Sequence, residues 1–141
     1  MQTKPLHRVL KVLIAEDDLM IADMVKQVLV AGGYDVCGIA RTVAEAVELA
    51  KNHKPDLAII DLWLADGGLG TEIVLELDDH ENLGILYATG NRTKLNAANG
   101  HASLVKPYRE ADLIRGLEIV AEIVATGRAS PPFPRGFEVL S

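Results

Sequence analysis

The stretch Val12-Leu13-Ile14-Ala15-Glu16-Asp17-Asp18 decides the fold. An apolar run ends abruptly in three acids. The run from Val9 to Ala15 is apolar but for Lys11. It is too short for a helix and reads as a buried strand. Three adjacent carboxylates repel one another, so their purpose depends on what else reaches the same place. Taken alone, the triplet is accounted for by a solvated turn, with Asp18 as the N-cap of a following helix.

Outward from this strand, strand and helix patterns alternate. Ile21, Met24, Val25, Val28 and Leu29 fall at helical spacing, and Gly32-Gly33 stops that helix. Asp35 to Ala40 is a second short strand. Thr42-Val43-Ala44-Glu45 matches a capping box, and Val43, Ala46, Val47 and Ala50 share one helix face up to Pro55. Leu57 to Ile60 is a third strand, and it too stops at an acid, Asp61. A Gly-rich loop, Ala65 to Gly70, precedes a helix marked by Ile73, Val74 and Leu77. Leu83 to Ala88 is a fourth strand closed by Thr89-Gly90. The polar segment Asn91 to Asn99 holds at most a weak helix. Ala102 to Val105 is a fifth strand, ending at Lys106-Pro107, and a helix runs from Asp112 to Thr126.

Five strands separated by helices imply a parallel sheet covered on both faces. For a doubly wound sheet the expected order is 2-1-3-4-5, with a crevice at the carboxyl ends of strands 1 and 3. On that edge lie Glu16 and Asp17, then Asp61, Thr89 and Lys106, with strand 2 alone contributing no polar group. Carboxylates converging from two strands supply the oxygen ligands that Mg²⁺ prefers. Thr89 can aim a hydroxyl at an anion, and Lys106 can pair with Asp61 or neutralise a phosphoryl oxygen.

These residues, in this order, resemble the receiver domain of two-component response regulators over residues 7–126. The resemblance implies a flavodoxin-like fold with Asp61 as phosphoacceptor. It also implies that Asp17 ligates Mg²⁺ directly, that Glu16 holds it mostly through water, and that the backbone carbonyl of Trp63 is a third protein ligand. Thr89 and Lys106 would bind phosphoryl oxygens, with help from amides near Leu62 and Gly90. Tyr87-Ala88-Thr89-Gly90 is similar to the start of the FAT GUY signature of single-domain receivers, although Asn91-Arg92 departs from it. Other departures are Ser103 in the usual aromatic switch position, a short segment between Thr89 and Lys106, and a glycine at Gly70, one place later than usual.

The 141 residues suit one domain, and 49% hydrophobic with 24% charged residues suits a folded one. The net charge of −6 argues against nucleic acid and anionic membrane surfaces as partners. Cys37 is the only cysteine, so no internal disulfide forms. No leader or membrane-length apolar run is present, which makes the cytoplasm the expected compartment. Gly67-Gly68-Leu69-Gly70 lacks the Lys-Ser/Thr of a P-loop, and His7, His53, His80 and His101 show no metal spacing.

The expected protein is a stand-alone response regulator and not an enzyme in the ordinary sense. It takes its phosphoryl group from a sensor histidine kinase or phosphotransfer protein. It then signals to an unidentified downstream protein or drains phosphate. A receiver-shaped binding module without phosphorylation is the alternative, and a small Mg²⁺ phosphatase is a distant third. Trp63 is read either as packing or as an exposed partner contact. The last helix carries more apolar residues than one buried face needs, which points to a homodimer or partner surface. Residues 127–141, with Pro131, Pro132 and Pro134, are expected to be an extended tail without regular structure.

Overall fold

The computed structural model describes residues 8–78, 82–90 and 95–141. Its elements in chain order are β1 (Lys11–Ala15), α1 (Leu19–Ala31), β2 (Asp35–Ala40), α2 (Val43–His53), β3 (Leu57–Asp61), α3 (Thr71–Leu75), β4 (Gly84–Thr89), β5 (Ala102–Val105), α4 (Glu110–Thr126) and β6 (Phe137–Val139). The sheet order is β2-β1-β3-β4-β5-β6. The first five strands are parallel and follow the expected 2-1-3-4-5 order of a flavodoxin-like fold.

The helices cover the two sheet faces because the inner strands are apolar on both sides. Leu13, Ala58, Ile60, Ile85 and Tyr87 face the layer containing α2 and α3. Val12, Ile14, Ile59, Leu86 and Leu104 face the layer containing α1 and α4. Each fully buried Leu or Ile side chain contributes about 1.5–3 kcal/mol relative to an exposed one. The helix starts are fixed locally. Asp18 accepts from the amides of Met20 and Ile21, as an N-cap should. Thr42 Oγ1 accepts from the Glu45 amide at 3.1 Å, and Glu45 Oε1 returns to the Arg41 amide at 2.8 Å, one residue earlier than in the usual capping box. α3 is short, and Ile73 and Val74 are its buried residues.

One expectation about the C-terminal region is corrected. Residues 127–141 are not an unstructured tail. After Pro134 the chain turns at Gly136, whose φ of 79° suits a glycine, and β6 then pairs antiparallel with β5. The prolines end before the strand begins, and β5 offers a row of unpaired backbone groups that a short strand can satisfy. Phe137 packs into the α1–α4 layer and Leu140 into the opposite one, so the segment straddles the sheet edge.

Much of the apolar surplus on α4 is buried within the chain, with Ile114 and Ile123 half-buried. Leu113, Leu117, Ile119 and Val120 are all buried, and Val124 is the large exposed apolar residue of that helix. Gly116 lies in the helix interior, where glycine costs about 1 kcal/mol relative to alanine. A Cβ there would stand 3.5 Å from the Phe137 ring, so a longer side chain would have to displace it.

Part of the expected segment Asn91 to Asn99 lies outside the described residues. Residues 95–101 carry no helix. Among the described residues no helix is long and apolar enough to cross a membrane.

Candidate functional site

The strand ends converge because β1 and β3 are neighbours in register, Ala15 beside Ile60, so the residues that follow each strand share one edge. Glu16, Asp17 and Asp61 each offer a carboxylate oxygen within 4.8 Å of the others. Lys106 enters from β5. Its Nζ donates to Asp61 Oδ2 at 3.2 Å and to Glu16 Oε1 at 3.3 Å. The ammonium therefore spans two strands and offsets part of the repulsion among the acids.

Each side chain is held from its backbone side. Glu16 is buried, its amide donates to the Ala40 carbonyl at 2.9 Å, and its Oε2 accepts from the Asp18 amide at 3.1 Å. Burial pushes its carboxyl up to about 7, with the nearby Asp61 charge adding to the rise, while the Asp18 amide and Lys106 pull it down. Burial works to lower Lys106, but the Asp61 and Glu16 carboxylates outweigh it and hold the ammonium above the ordinary lysine range. Asp61 Oδ1 accepts from the Trp63 amide at 3.4 Å. A carboxylate cluster with oxygen donors of this kind fits a hard divalent cation, which would also relieve the repulsion.

Thr89 is buried at the end of β4, beside Ala88, which is the register partner of Asp61. Its carbonyl accepts from the Lys106 amide at 2.7 Å, which ties the ends of β4 and β5 together. The Lys106–Pro107 bond is cis. Trp63 is exposed, at 65%, so its indole does not pack against the following helix. Tyr87 lies within β4, fully buried, with its hydroxyl donating to the Asn99 carbonyl at 2.7 Å. Cys37 is half-buried against the core, and burial pushes its thiol up, away from reactivity.

Sequence reasoning missed two neighbours of the site. Arg41 follows β2, the strand credited with no polar group, and its Nε donates to the Asp17 carbonyl at 3.3 Å. The Arg41 carbonyl accepts from the Ala65 amide at 2.9 Å, so this residue links the loops after β1, β2 and β3. Its position one residue past the strand was the available signal. Gly70 was noted only for its spacing. A side chain there would collide with the Asp61 carbonyl oxygen and with Ile60, which explains why a glycine stands at that place.

Among apolar surfaces, Ile21, Met24 and Val28 of α1 face Pro107, Tyr108 and Leu113 across a groove of about 270 Å³ that includes Lys106. Leu19, Met20 and Met24 are exposed on the same helix.

Comparison with known proteins places these features in context. Residues 12–118 match the model of the response regulator receiver domain. The transcriptional regulatory protein PdtaR of Mycobacterium tuberculosis is 34% identical over 113 residues, covering 77% of this chain and 55% of PdtaR. This chain thus spans about half the length of that relative. The chemotaxis protein CheY of Bacillus subtilis is 29% identical over 104 residues, covering 70% of this chain and 87% of CheY. Among solved structures, a CheY-like receiver domain protein from Methanospirillum hungatei superposes with a TM-score of 0.73 at 26% identity, covering 86% of this chain and all of that one.

Proposed function

Because this chain belongs to the response regulator receiver domain family, we propose that Asp61 accepts a phosphoryl group from a phosphohistidine of a sensor kinase or phosphotransfer protein. The observation that carries this reading is the bridge from Lys106 Nζ to both Asp61 and Glu16 beside a three-carboxylate cluster. Such a site has a nucleophile, a fixed cation and a place for a second cation.

Asp61 is the nucleophile. One of its carboxylate oxygens forms a bond to phosphorus while the bond from phosphorus to the histidine ring nitrogen breaks. The departing nitrogen keeps the electron pair and takes up a proton. Phosphoryl transfer depends on alignment and charge stabilisation more than on covalent assistance. Lys106 supplies a positive charge that is already in place. Thr89 supplies a hydroxyl to a phosphoryl oxygen, and amides near Leu62 and Gly90 supply further donors. Asp17, Glu16 and the backbone carbonyl of Trp63 would hold Mg²⁺ together with Asp61, with Glu16 acting mostly through water. The metal, when bound, neutralises charge on the phosphoryl oxygens.

The resulting acyl phosphate is hydrolysed back to the carboxylate, so the chain works as a reversible signal and not as an ordinary turnover enzyme. Its output is contact with another protein or the draining of phosphoryl groups from a kinase, in the cytoplasm. A homodimer through α4 would have to use that helix's polar residues with Val124, since its other large apolar residues are buried or half-buried.

The test is a beryllofluoride titration followed by the fluorescence of Trp63, the single tryptophan. Saturable binding that requires Mg²⁺ and is lost in Asp61→Asn is expected. A flat signal, with calorimetry also showing no binding, would refute the reading.

A further inference from the structure

We propose that residues 128–141 form a strap whose docking is linked to the charge carried by Asp61. The inference rests on the reading of Asp61 as phosphoacceptor.

The strap is attached at three places. Near its start, the Ser130 amide donates to Glu122 Oε1 at 3.0 Å, and the Ser130 hydroxyl donates to the same carboxylate. Arg115 Nη2 donates to the Ser130 carbonyl at 2.7 Å, and its Nε to the Pro132 carbonyl at 3.0 Å. Further on, β6 pairs with β5, Leu104 opposite Phe137 and Ala102 opposite Val139. The Leu140 amide closes the far end on the His101 carbonyl at 3.0 Å. The Phe137 ring stacks on Phe133 with centroids 6.2 Å apart and lies over Gly116. The ring is thus in direct packing distance of α4 at Gly116, a contact separate from the strand pairing.

Strap and site meet in one step of the backbone. The Val105 amide donates to the Gly136 carbonyl at 3.0 Å. The next amide, that of Lys106, donates to Thr89, and the Lys106 ammonium bridges Glu16 and Asp61. A phosphoryl group on Asp61 places its oxygens beyond the present carboxylate, so the ammonium must move to follow them. Whatever part of that shift the Lys106 backbone takes up, rather than its side chain, strains the Val105–Gly136 bond directly. Glu138 and Val139 are exposed, so the apolar hold on this three-residue strand rests on Phe137 and the neighbouring Leu140 alone. Loading the site therefore loosens the strap. Because linkage is reciprocal, loosening the strap favours loading.

Amide hydrogen exchange of the full chain, with Mg²⁺ alone and with Mg²⁺ plus beryllofluoride, reads one side of the linkage. Beryllofluoride affinity of Phe137→Ala against the unaltered chain, read from Trp63 fluorescence, gives the other. Expected are faster exchange at residues 137–140 in the loaded state and a tighter affinity in Phe137→Ala by about fivefold or more. Loading with unchanged exchange, or with equal affinity in the two chains, would overturn the strap and leave the phosphoacceptor reading standing. Absence of loading in the unaltered chain would overturn both. Should Phe137→Ala fail to fold, exchange in the unaltered chain decides.

Discussion

Lys106 Nζ lies 3.2 Å from Asp61 Oδ2 and 3.3 Å from Glu16 Oε1, so one ammonium from β5 bridges carboxylates that belong to β3 and to the end of β1. The relationship makes Glu16 sensitive to Lys106, because the ammonium holds the Glu16 carboxyl lower than burial alone would leave it. Replacement by Lys106→Gln is expected to raise the Glu16 midpoint further above about 7. The pH at which Mg²⁺ binding is half-lost, followed by Trp63 fluorescence, should move upward in the variant. An unmoved midpoint would show that the bridge is not an electrostatic partner of Glu16.

The metal-free fold should itself respond to pH through Glu16. Its folded value, about 7, lies above the ordinary 4.5, so in this window the folded chain binds the proton more tightly than the unfolded chain. The sign is opposite to that of a salt-bridged acid. The contribution of this group to stability falls as pH rises from 4.5 to about 7 and is constant beyond. Metal binding requires the ionised form, so apparent Mg²⁺ affinity should weaken by up to about tenfold per pH unit below the midpoint. Urea midpoints and Mg²⁺ titrations between mildly acidic and mildly basic pH measure the two trends, which should run in opposite directions.

Asp18 should separate cleanly from its acidic neighbours. It caps α1, and its side chain accepts from Met20 and Ile21 rather than facing the carboxylate cluster. Asp18→Ala is expected to cost about 1 kcal/mol of stability. Beryllofluoride affinity should remain within about twofold, since the Asp18 contact to Glu16 comes from its backbone amide. Chemical denaturation beside a beryllofluoride titration checks both halves.

Gly70→Ala is expected to act at a distance in sequence but not in space. The new methyl meets the Asp61 carbonyl oxygen and the Ile60 side chain, so strand β3 must shift or the loop must open. Overpacking of this kind costs about 1–3 kcal/mol. Loading of Asp61 should fall more than stability alone explains, which a comparison with Asp18→Ala, destabilised but with its site intact, would reveal.

Much of this architecture was legible in the sequence because its signals are local. Asp35–Ala40 and Ala102–Val105 were readable as strands from short apolar runs bounded by turn residues. Asp18 and Thr42 were readable as caps, and the acids at two strand ends as neighbours once the winding rule placed β1 beside β3. What escaped depends on distant partners. Three prolines signalled an irregular tail, yet Phe137–Val139 becomes a strand only because β5 presents an open edge. The apolar excess of α4 suggested a partner, and the partner in part is the chain itself, with Phe137 over Gly116. Arg41 carried a signal only in its place one residue past β2, and its reach to Asp17 crosses between loops.

The central claim concerns Asp61, and intact-mass measurement after incubation with acetyl phosphate and Mg²⁺ tests it most directly. One phosphoryl increment is expected in the unaltered chain, dependent on Mg²⁺, not formed when the metal is chelated beforehand, and absent in Asp61→Asn. An unmodified chain under conditions that label another receiver, or an increment that persists in Asp61→Asn, would contradict the account.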